Sequence, residues 1–171
     1  MKDVSYLGSL LKHMEWADAK VWQSILKLPA VNNDSVIKTF VYHIHAVQRA
    51  FFYVWTEQPL EFPDEKDFNQ LIDIAKWGGD YYMEQDTYLK SINEEMLARE
   101  LDIPWIKRLE EVIGKEPSKA TLGESMLHVA MHTSYHRGQL NKRIRELGGE
   151  PQLIDLIVWI WKGKPKANWN G

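Results

Sequence analysis

The chain has 171 residues, 44% of them hydrophobic and eight of them Trp, which suits one domain over 1–171 with a substantial core and is too short for two. The net charge of -3, with Lys and Arg scattered along the chain, argues against a nucleic-acid partner, whose binders carry a basic footprint. There is no Cys, so disulfides, thiolate metal sites and a Cys nucleophile are excluded, and a transition-metal site must use His, Asp or Glu.

No run of about 18 apolar residues is present, so no membrane span is expected. The N-terminal segment lacks the apolar stretch and small-residue cleavage site of a secretory signal, which points to a cytoplasmic protein.

From about Tyr6 to Leu28, the residues Leu7, Leu10, Leu11, Met14, Val21, Ile25 and Leu28 keep helical spacing, and Pro29 ends the run. Asn33, Asp34 or Ser35 can cap a second helix with a stripe through Ile37, Phe40, Ile44, Val47, Phe51 and Val54. A third helical region spans about Asp64 to Glu95, and Gly78-Gly79 predicts a kink or break in it. The stretch from Leu101 to Ala120 holds Pro104 and Pro117 and reads either as loop with short strands or as a helical turn. Thr121-Leu122-Gly123-Glu124 matches a capping box and opens a strong helix that Gly148-Gly149 and Pro151 stop after Leu147. Leu153 to Trp161 predicts a short last helix, and Lys162 to Gly171 an extended or loose tail. Four long amphipathic helices with no strand pattern predict an all-α fold, a four-helix bundle with a short C-terminal extension helix.

Six histidines are present, and His128, His132 and His136 recur every four residues on the last long helix. Residues four apart on a helix share a side and can close on one ion, but His128 and His136 lie about 12 Å apart along the axis. With about 100° per residue, His136 lies roughly 50° from the centre of the apolar stripe, His132 roughly 90° and His128 roughly 130°. On the second helix His43 lies roughly 70° from the stripe centre and His45 roughly 130°. His43, His132 and His136 therefore face inward, while His45 and His128 face solvent or a partner. A lone histidine on an apolar edge is ordinarily a hydrogen-bonded core residue. Three inward histidines on two helices instead match the three-ligand pattern of a catalytic metal site with an open fourth position.

The block His128-Val-Ala-Met-His132-Thr-Ser-Tyr-His136-Arg137-Gly138-Gln139 resembles the signature of the DinB/YfiT-like superfamily. Trp16-Ala17-Asp18, His43-Ile44 with Gln48 and Phe51, and the closing Asp155 to Trp161 with Gly163 and Pro165 carry the same resemblance. It implies a DinB-like four-helix bundle with up-down-down-up connections. It also implies a divalent metal ion held by one histidine of the second helix and two of the last, which by position are His43, His132 and His136. Zinc or nickel is the first expectation, manganese or iron the next. Gln48 stands where the commoner pattern has an acidic residue and Phe51 where it has Trp, changes that touch the pocket and no ligand.

Asp18 falls about 40° from the centre of the first stripe, where a buried carboxylate needs a partner. It is either an acceptor that fixes a ligand histidine or, as favoured here, a buried hydrogen bond to a neighbouring helix. Gln139, one turn past His136, is placed at the pocket rim. Arg137 and Arg143 read as surface charges that can also meet an anionic substrate. Trp16, Trp22, Trp55, Tyr82, Trp105 and Tyr135 are mostly expected in the core. The chain has no glycine-rich phosphate loop and no Gly-x-Ser-x-Gly elbow, and Thr133 follows His132 where a zinc protease has Glu.

Two functions compete. The first is a metal-dependent enzyme, either a transferase that uses a low-molecular-weight thiol such as bacillithiol or mycothiol, as the resemblance implies, or a hydrolase. The second is a non-catalytic stress-response module that acts through a partner or as a homodimer, with Leu127 and Met131 on the face opposite the core. An open metal position in a substrate-sized pocket marks the first, a closed site the second.

Overall fold

A computed structural model describes residues 4–169 of the chain. Among them the secondary structure is helical, apart from one isolated bridge between Glu100 and Thr121. The helices are α1 (Val4–Leu26), α2 (Ser35–Trp55), α3 (Leu71–Leu89), α4 (Glu94–Leu97), α5 (Glu110–Ile113), α6 (Leu122–Glu146) and α7 (Leu156–Trp161). The four long ones pack in a ring, α1 and α2 each against both α3 and α6. No described helix is long and apolar enough to cross a membrane.

Local chemistry sets the helix starts. The Asp34 side chain accepts from the Ile37 N–H at 2.8 Å and caps α2. The same carboxylate takes Arg143 Nη2 from α6 at 2.5 Å, so one residue caps a helix and ties two together. Thr121 and Glu124 form the expected capping box on α6, with the Thr121 N–H 2.8 Å from Glu124 Oε2.

Two apolar clusters fill the ring. One gathers Leu7 and Leu11 of α1, Phe52 and Trp55 of α2, Tyr81 and Tyr82 of α3, and Leu122 and Met126 of α6. The other gathers Val21 and Ile25, Ile37 and Val41, Leu71 and Ile74, and Leu140 and Ile144. Helices α1 and α6 therefore run from the first cluster to the second, and α2 and α3 run back.

Helix α3 departs from expectation, and the tail and the ambiguous stretch resolve between their alternatives. Helix α3 begins at Leu71, not near Asp64, and passes through Gly78-Gly79 without a break. Gly78 serves contact instead, because a Cβ there would sit inside the His45 ring of α2. The tail is not loose through Trp169. That ring lies 5.5 Å from Tyr82 and covers Gly79, and it packs against both clusters, while Asn170 and Gly171 fall outside the described residues. The ambiguous stretch from Leu101 to Ala120 holds a 3-10 turn (Ile106–Leu109) and α5, with no fully buried side chain in either.

Candidate metal centre

His132 and His136 sit four residues apart on α6, and His43 faces them from α2. His132 Nε2 is 3.3 Å from His43 Nε2 and 3.2 Å from His136 Nε2, and one ligand atom from each ring lies within 4.8 Å of the others. These are three ring nitrogens close enough together to share one ion. A tetrahedral ion with metal–nitrogen bonds of about 2.0–2.1 Å spaces its ligands about 3.3 Å apart, which matches the two short separations.

Protonation states fit the same picture. His136 Nδ1 lies 2.6 Å from Gln139 Oε1, and that oxygen can only accept, so Nδ1 carries a proton and Nε2 is the nitrogen that faces His132. Burial first, and then His136, holds His43 below the usual imidazole range. Burial, His136, His43 and His128 together push His132 down to about 4. Both rings are therefore neutral near pH 7, the form that binds metal. Lone pairs this close repel unless a proton or a cation lies between them, and a divalent ion satisfies all three at once. His132 Nδ1 is buried and has no partner among the described residues, so nothing fixes its outer nitrogen as Gln139 fixes that of His136.

The triad opens into a cleft of about 930 Å³ that both His43 and His132 line. Phe51 of α2 forms part of its wall, edge-on to Trp105 at 5.2 Å and tilted against His128 at 5.2 Å. His128 is exposed, as expected, and lines the cleft one turn from His132 without joining the converging set. The connection from Leu101 to Ala120, ambiguous in the sequence, supplies the opposite wall.

His45 contradicts the outward placement expected of it. It is 1% exposed, its Nδ1 donates to Gln48 Oε1 at 2.8 Å, and its Nε2 accepts from Trp22 Nε1 at 2.9 Å. A single apolar stripe implies one buried face on α2, whereas α2 packs on α3 as well as α6 and so buries two. Both ring nitrogens are engaged, which leaves His45 no lone pair for a metal.

Arg137 also departs from the surface reading. It is 3% exposed, and its Nη1 lies 2.7 Å from Asp18 Oδ1. The residue lies mid-helix on the side of α6 that meets α1, not at a helix end. Asp18 is the hydrogen-bond hub favoured from sequence, and its contacts are with residues other than the three histidines. Its Oδ2 accepts from Tyr82 of α3 and from Gln48 Nε2 of α2 at 2.9 Å, and Gln48 also reaches Thr133 Oγ1 of α6 at 3.2 Å. The neutral Gln48 is what this hub needs, because a carboxylate there would face Asp18 across the core. Arg143 pairs with Asp34 and with Glu146 at 3.0 Å, and none of the three lines the cleft. Of the aromatic residues expected in the core, Trp16, Trp22, Trp55 and Tyr82 are buried, Trp105 is half-buried and Tyr135 is 66% exposed.

A search of the curated proteins found no match to the chain. The family model described as DinB family matches residues 1–166 of 171, the whole of the ring and both histidine-bearing helices, and the chain belongs to that family.

Proposed function

We propose that His43, His132 and His136 hold one divalent cation through Nε2, and that the protein is a metal-dependent enzyme whose substrate meets the ion in the cleft beside α6. The observation that carries this reading is the approach of three imidazoles to one another beside an open, substrate-sized cleft that His43 and His132 line. A divalent ion in such a site supplies Lewis-acid charge that lowers the pKa of a coordinated thiol or water. The side chains of the chain do the rest. Gln139 orients His136, and Phe51 and Trp105 keep water from the wall of the cleft.

Thiol-dependent transfer is the preferred reaction and hydrolysis the second. Glu124 is the one carboxylate among the residues that line the cleft, and Thr121 already engages it through both its N–H and its Oγ1. Both contacts fall on Oε2 and hold the carboxylate below its usual range, which makes it a poor base to aid attack by water, whereas a coordinated thiol needs none. The non-catalytic module called for a closed site, and the cleft favours the enzyme over it.

The test loads the protein in turn with Zn, Ni, Mn and Fe(II) and mixes it with low-molecular-weight thiols and an electrophile. Thiol–electrophile adduct should form with the loaded protein, and not with metal-free protein or His132→Ala. Hydrolysis of an ester or amide without thiol transfer would favour the second reaction. Absence of any turnover by protein with full metal content would favour the module.

A further inference from the structure

The cleft is far more apolar than a site for a small polar thiol alone requires. Val47 and Phe51 from α2 face Trp105, Leu109 and Ile113 from the connection. Leu109 and Ile113 remain 46% and 48% exposed although both line it, so the wall presents apolar surface that the fold itself does not bury. Its volume of about 930 Å³ lies within the range, ~300–1,000 Å³, of pockets that enclose a small organic ligand.

The charges on the cleft wall narrow the ligand further. The lining carries Lys115, Lys119 and Glu124, one cation more than it has anions; Glu124 accepts from the Thr121 N–H and Oγ1 in the cap of α6, and Lys119 lies 3.6 Å from Glu100. Lys115 makes no ion pair among the described residues, so it is the uncommitted cation of the lining. An apolar wall with one free cation complements a molecule with a hydrocarbon or aryl body and a single acidic group.

We infer that the substrate that enters this cleft is an apolar carboxylate, with its body against Phe51, Trp105, Leu109 and Ile113 and its acidic group on Lys115. That the ligand is a substrate rests on the metal-enzyme reading above; that the cleft binds it does not.

Isothermal titration of octanoate, octan-1-ol and octylamine into metal-free and zinc-loaded protein tests the inference. The three probes share one chain length and differ in charge. Octanoate should bind about fivefold more tightly than octan-1-ol in both forms, the scale of one partly exposed ion pair, and octylamine should bind most weakly. Lys115→Gln should remove the preference for octanoate and leave the octan-1-ol affinity unchanged. Leu109→Asp should weaken octanoate and octan-1-ol alike, and the exposure of that residue keeps the fold out of question. Equal binding of octanoate and octylamine, or a preference that survives Lys115→Gln, would overturn the inference. So would a preference seen only in zinc-loaded protein, because the acid would then lie on the metal. The metal reading fails separately, if the protein takes up no divalent ion, and the metal-free titrations still decide the cleft.

Discussion

Gln139 holds His136 from one turn further along the same helix, with Gln139 Oε1 2.6 Å from His136 Nδ1. The contact is local, i to i+3, and sets both the ring orientation and the nitrogen that carries the proton. Gln139→Leu should therefore lower metal affinity about 10–100-fold while the helical content stays unchanged. Gln139→Glu should retain affinity, since a carboxylate accepts the same proton. Metal titration with circular dichroism in parallel checks this, and full affinity in Gln139→Leu would show that the tautomer is set elsewhere.

His43→Ala, His132→Ala and His136→Ala should each lose most bound metal, and His128→Ala should keep it. The distinction is between three nitrogens that converge and a fourth ring that lines the cleft one turn away. Elemental analysis of the purified variants reads the result. Metal lost from His128→Ala but kept by His43→Ala would move the site outward along α6.

How much of this was legible in the sequence depends on how many helices a residue touches. The site histidines were legible because His132 and His136 form a column on one helix, and because His43 and the column each lie near an apolar stripe. The four long helices were legible from periodicity, and the Thr121–Glu124 box from its spacing. His45, Arg137, Gly78 and Trp169 were not. Each is explained by a neighbour distant in sequence: Trp22 for His45, Asp18 for Arg137, the His45 ring for Gly78, and Tyr82 for Trp169. A single-stripe reading gives each helix one inner face, and a helix in a ring has two. The cleft wall escaped for a different reason: between Leu101 and Ala120 neither the 3-10 turn nor α5 contains a fully buried side chain, so no periodic core pattern marks it.

The adjacent glycines of α3 should respond in opposite ways to Ala. At Gly78 the new Cβ overlaps the His45 ring, which is itself pinned by Trp22 and Gln48 and cannot swing aside. Gly78→Ala should cost about 1–3 kcal/mol from overpacking, less a propensity gain of up to about 1 kcal/mol. At Gly79 the Cβ meets Trp169 at 3.5 Å, an ordinary contact, so Gly79→Ala should be neutral or stabilising by up to about 1 kcal/mol. Urea midpoints of the two variants decide the matter. A tolerated Gly78→Ala would mean that the His45 ring has room to move.

Acid should destabilise the metal-free protein well before its carboxylates titrate. His13, His43, His45, His128 and His132 are all held below the usual imidazole range, with burial as the leading cause in each. For His45 the geometry gives the same sign, because protonating Nε2 would turn the Trp22 acceptor into a second donor. Unfolded, these groups take up protons as pH falls through about 6.5, while the folded protein resists. Stability rises with pH wherever the unfolded chain binds more protons, so it must fall as pH drops below about 6.5. The loss continues until the folded groups titrate, which for His132 is at about 4. Carboxylates act lower and partly cancel. Arg143 holds Asp34 below its usual range and adds to the loss, whereas burial raises Glu15 and opposes it. Urea unfolding of metal-free protein should give a midpoint nearly constant between about pH 8 and 7 and falling steadily from about pH 6.5 to 4.5. A midpoint that stays flat or rises across that lower window would mean that these imidazoles are not held neutral by the fold.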